Sequence, residues 1–186
     1  MSACLLLTLA ACAGGAPVPT ASLPRDAVDG IGDPARSAII GSAHAFASDA
    51  ALAGGPAAAA QVEYLAAEIS TGPRWEEWSP SIGMQLQGAR AELRSALGIP
   101  AVSPPQAVVD ALSAAARALQ RGDTAAAEGA LVAAEAADRG TLLVRLSALP
   151  PLPRTRTATA LAERELIRVD QDQRLGGSGG NDGGKD

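Results

Sequence analysis

Aromatic residues are nearly absent from this 186-residue sequence, which holds two Trp, one Tyr and one Phe. A hydrophobic core must therefore be assembled from Ala, Leu, Val and Ile, with helices approaching closely, and it will be thin. Basic charge is short as well. Lys plus Arg number 15 against 20 Asp plus Glu, for a formal net charge of −5, so no cationic field exists to hold a phosphate backbone and no nucleic acid partner is expected. The single His, His44, has no second His and no carboxylate at i±3 or i±4. It lacks the partners that a metal ligand or a general base requires. No H-E-x-x-H occurs and no Gly-rich phosphate cradle opens a helix, so neither enzyme activity, nor a metal, nor a cofactor is expected. Past the first residues no apolar run reaches the roughly 20 residues of a membrane-spanning helix.

What is present begins with "LLLTLAAC", residues 5 to 12. A short apolar run closing on small residues is the pattern of an export signal and its cleavage site. Leu9, Ala10, Ala11 and Cys12 resemble the lipobox of bacterial lipoproteins. The resemblance implies that Cys12 receives a diacylglycerol thioether and becomes the first residue once residues 1–11 are removed. Cys4 would leave with the signal, so the mature chain would keep no thiol for disulfides, thiolate catalysis or metal binding. Met1 to Ala11 contain none of the Lys or Arg that an n-region carries, which places the expected natural start upstream of Met1. Ala13 and Gly14 follow the cysteine, and by analogy with enteric sorting the anchor is expected in the outer membrane, facing the periplasm. The leader and a composition dense in Ala, Gly, Pro and Arg, with Lys185 the sole lysine, are similar to those of alanine-rich lipoproteins of high-GC Gram-negative bacteria. That resemblance implies no activity.

Residues 12–32, with Pro17, Pro19 and Pro24, show no sustained period and read as a flexible tether. Residues 33–175 read as an all-α domain, a small bundle of antiparallel hairpins with about six helices. Asp33 caps and Pro34 opens the first, whose apolar positions Ile39, Ala43, Phe46, Ala47 and Ala50 run toward Gly54. Pro56 opens the second, striped by Val62, Leu65, Ala66 and Ile69. Ser79 and Pro80 start a third that ends at Gly98. "SPPQ" at 103–106 is a capping-box signal for a fourth running to about Arg121, and Asp123 caps a fifth running to Gly140. The hairpin around Gly122 and Asp123 resembles one tetratricopeptide unit, but its bulky aromatic positions are missing and no second copy recurs. A short helix at 141–149 ends in a run of prolines, and a last one spans Thr157 to about Gln173. Residues 176–186 are a Gly-rich tail, disordered on composition.

The most individual feature is the pair Trp75 and Trp78 flanking Glu76 and Glu77, with Tyr64 the only other polar aromatic. Adjacent carboxylates project apart, so Glu76 and Glu77 do not form an acid–base pair. The tryptophans, with Tyr64, are candidates either to plug the end of an Ala-rich bundle or to contact a ligand or partner. The expected function is accordingly a non-catalytic envelope lipoprotein acting as a helical interaction or structural module, its membrane contact the lipid at Cys12 and its other partner an envelope protein. A small-ligand carrier or chaperone-like lipoprotein with a groove between hairpins is the alternative.

Overall fold

Eleven of the 17 residues of the second helix are buried, and the other helices are arranged around it. The computed structural model describes residues 21–24, 32–47, 55–134 and 139–176, and the regular structure among these is entirely helical. Seven α-helices, rather than about six, follow in order: α1 Pro34–Ala45, α2 Gly55–Thr71, α3 Pro80–Leu97, α4 Pro105–Gln120, α5 Thr124–Ala130, α6 Arg139–Ser147 and α7 Pro153–Gly176. Short 3-10 turns occupy Pro73–Trp75 and Leu131–Ala134. α2 packs against α1, α3 and α4, while α7 returns to lie on α3 and α1. Alanines at 58, 59, 60, 66 and 67, all buried, let three neighbours approach α2 at once. Cys4, Cys12, the tail 177–186 and most of the expected tether lie outside the described residues.

Helix boundaries differ from expectation where a tertiary contact overrides the local signal. α1 stops at Ala45, well short of Gly54, because Phe46 leaves helical geometry (φ −99, ψ 6) and its side chain enters the core. α5 stops at Ala130 instead of reaching Gly140, and Leu131–Ala134 tightens to a 3-10 turn whose Leu131 and Ala134 are buried. Asp33 and Asp123 cap α1 and α5, accepting from the amides of Ala35 at 3.0 Å and Ala126 at 2.9 Å. The expected capping box at "SPPQ" does not form. Ser103 is buried with its hydroxyl on the carbonyl of Ala134, Pro104 takes the cap position, and Gln106 turns away to Ser22 and Asp110. Four residues of the expected tether, 21–24, therefore lie on the bundle: Ala21 is buried, and the Gln106 side chain accepts from the Ser22 amide at 2.7 Å and donates to its carbonyl at 3.1 Å.

α3 and α7 cap one another. The Glu92 carboxylate, late in α3, accepts from the amides of Arg154 (3.2 Å) and Thr155 (2.8 Å), so α7 starts at Pro153 and not at Thr157. In return Glu165 of α7 accepts from the Ser79 amide at 2.9 Å, ahead of α3, while the Ser79 hydroxyl turns to Ser81. Arg168 holds Glu165 in place and keeps its carboxyl below the ordinary range. Each acceptor satisfies orphan amides at a helix start and complements its dipole. The two helices are thereby fixed antiparallel and in register.

Among the described residues one ion pair has both partners buried, with Arg90, partly exposed, 4.0 Å from its carboxylate. Glu63 of α2 is 1% exposed and Arg94 of α3 is 4% exposed, and the Arg94 guanidinium donates to both carboxylate oxygens, from Nε at 3.0 Å and from Nη2. Its Nη1 donates to the carbonyls of Pro100 (3.2 Å), Ala101 (2.9 Å) and Ser103 (2.9 Å). The loop between α3 and α4 is thus gripped from below. Glu63→Gln, which strands a buried cation, should cost about 3–5 kcal/mol by urea denaturation. Arg94→Met should cost a comparable amount and, unlike Glu63→Gln, speed amide hydrogen exchange in residues 99–103. Equal loop exchange in the two variants would show that Arg94 does not hold the loop.

Candidate functional site

The tryptophan loop is built from the end of α2. Thr71 closes the helix, the Gly72 amide bonds back to the Glu68 carbonyl at 2.7 Å, and Pro73–Trp75 makes one 3-10 turn. The Trp78 amide then reaches the Trp75 carbonyl at 3.0 Å, which brings the two indoles together. Their centroids are 4.8 Å apart at 77°, an edge-to-face pair. Both rings are only 6% exposed and belong to the core. The Trp75 indole N–H donates to Glu68 at 3.2 Å. Arg74 covers the outer side, its guanidinium 4.4 Å from the Trp75 ring centroid, and it pairs with Asp33, the cap of α1.

Tyr64 is buried in α2 but makes no ring contact with either tryptophan; what it shares with them is the nearby charge of Glu68, Asp33 and Arg74. Burial, assisted by Glu68 and Asp33, pushes its phenol up to about 12. Asp33 is held below the usual carboxylate range by its hydrogen bond from Arg74. His44 is exposed in the last turn of α1. Glu76 and Glu77 are both exposed and face different grooves. Cys12 falls outside the described residues, among which no cluster of metal-binding side chains and no helix long and apolar enough to cross a membrane is found.

Beside the loop lies an open groove of about 490 Å³, bordered by Ile69, Pro73, Trp78, Pro80, Met84 and Gln87. Both indoles border it, but each is only 6% exposed. A second groove of about 530 Å³ lies between the start of α2, the end of α4 and α6, with Leu119, Leu143 and Leu146 in its walls. The buried Glu63–Arg94 pair escaped sequence reasoning. The available signal was a lone carboxylate inside "AAAAQVEYLAA", a stretch in which it is the only charged residue and most neighbours are apolar. Comparison with protein-family models, with curated proteins and with solved structures returns no match.

Two outcomes follow from this geometry. Trp75→Ala should lose about 3–5 kcal/mol, and the native indole emission should be blue and resistant to aqueous quenchers; red, quenchable emission with unchanged melting would make the loop an exposed clamp. Asp33, whose carboxyl is lowered on folding, contributes stability that is whole above the ordinary carboxylate pKa and is lost as pH falls through the lower folded value. Asp33→Asn keeps a capping side chain and removes the titration, so its melting temperature should drop at neutral pH and converge with the parent's in acid.

Proposed function

We propose that this chain is a lipid-anchored helical module of the cell envelope that acts by contact, as an interaction or structural element, on the periplasmic side of the outer membrane. The observation that carries the reading is the Leu9-Ala10-Ala11-Cys12 match at the end of a short apolar run. Two further features support it. The chain has no second cysteine past Cys12, which suits an oxidising compartment, and the aromatic pair that a carrier would offer its ligand is largely consumed in packing. A ligand carrier remains the second reading, favoured by the open groove of about 490 Å³ beside Trp78.

Acylation gives the direct test. Cys12→Ser touches no described core residue, so the variant should fold with the same melting temperature, fail to incorporate labelled palmitate, and move from the membrane fraction to the soluble one. Continued detergent-dependent partitioning of the variant would overturn the anchor.

A further inference from the structure

The loop that Arg94 grips presents an uncharged, exposed surface. From Ser95 to Val109 the chain carries no charged residue, and at the tip Pro100, Ala101, Val102 and Pro104 are all exposed, Val102 by 88%. Exposed loops ordinarily show free backbone groups to water, but this one has most of them occupied. The carbonyls of Pro100, Ala101 and Ser103 point inward to Arg94, the Ser103 amide is on the Pro100 carbonyl at 3.1 Å, and Pro100, Pro104 and Pro105 have no amide hydrogen. The carbonyls are thus largely spent inside the bundle, while the amides of Ala101 and Val102, which make no bond among the described residues, are left to the oxygen acceptors of a polar headgroup layer rather than to hydrocarbon.

Its neighbour decides what covers it. Residues 21–24 are fastened by Gln106, in the first turn of α4 directly after this loop, so the described residue nearest to Cys12 in sequence, Ala21, lies beside this loop. Nine links separate Ala21 from Cys12, a span of at most about 30 Å when extended. Arg145, whose guanidinium lies against Gly98 at the other shoulder of the loop, adds a cation beside it, of the kind that pairs with lipid phosphate. We infer that the loop at residues 100–104 is a bilayer-contacting surface, seated in the headgroup region of the membrane that carries the Cys12 lipid; the inference rests on the anchor reading above. Arg94 acts as the internal brace that holds the carbonyls of Pro100, Ala101 and Ser103 inward.

Depth-dependent fluorescence tests it on the full acylated chain in vesicles of phosphatidylethanolamine and phosphatidylglycerol. Val102→Cys, carrying an environment-sensitive dye, should blue-shift on reconstitution and lose intensity when brominated acyl chains are included. Ile167→Cys, in α7 toward the opposite end of the bundle, should respond to neither. The intact mass of each sample reports acylation separately. An acylated chain whose label at 102 stays red and unquenched, or matches the label at 167, overturns the contact while leaving the anchor standing. A chain whose mass shows no lipid overturns the anchor and this inference with it. Val102 is almost fully exposed, so an unchanged circular dichroism spectrum is expected and establishes that the label has not unfolded the domain.

Discussion

A carboxylate and a guanidinium placed in the middle of an alanine-rich core constrain the rest of this fold. Glu63 and Arg94 together span α2, α3 and the loop leading to α4, so three segments are positioned by one pair. Desolvating two such charges costs several kcal/mol each, which their attraction offsets only when the remaining donors and acceptors are also used. Here the surplus donor capacity of Arg94 goes to three carbonyls of the loop. A core of alanines defines shape poorly, since small side chains slide past one another with little loss of contact. The buried pair supplies the directional constraint that the aliphatic packing lacks.

The carboxylates nearer the surface play a different part, at the ends of helices. Glu92 and Glu165 tie α3 to α7, Arg74 ties the tryptophan loop to the cap of α1, and Arg36 ties α1 to Asp170 of α7 at 2.5 Å. Each carboxylate serves a guanidinium or orphan amides belonging to another element. Such exposed pairs contribute little individually, but their placement at helix termini fixes register along the bundle.

How far the fold was legible in the sequence depends on whether its signals were local. Proline at a first helical position, Asp33 and Asp123 as caps, and Gly98 at φ 74 closing α3 act within a few residues, and they mark elements that the structure contains. Periodicity likewise placed Val62, Leu65, Ala66 and Ile69 in the interior. The misreadings fall where a distant group supplied what a neighbour was expected to supply. Glu92 starts α7 four residues early, Ala134 claims the Ser103 hydroxyl intended for a cap, and Ser22 draws Gln106 away from the capping box. At the candidate site, "PRWEEW" located the aromatic pair, but their geometry depends on Glu68, Arg74 and Asp33 from three segments. Cys12 remains a sequence observation only.

The pairing of α1 with α7 also bears on how the domain is completed. Arg36 and Asp170 are 134 residues apart in the chain, and at 5–20 residues per second of synthesis the second is made about 7 to 27 s after the first. Throughout that interval α1 lacks one of its two principal neighbours. The contact of α1 with α7 therefore becomes available only once α7 has been made. The same holds for the Glu92 and Glu165 contacts between α3 and α7, so every tie that α7 makes to the bundle waits on one late segment of the chain.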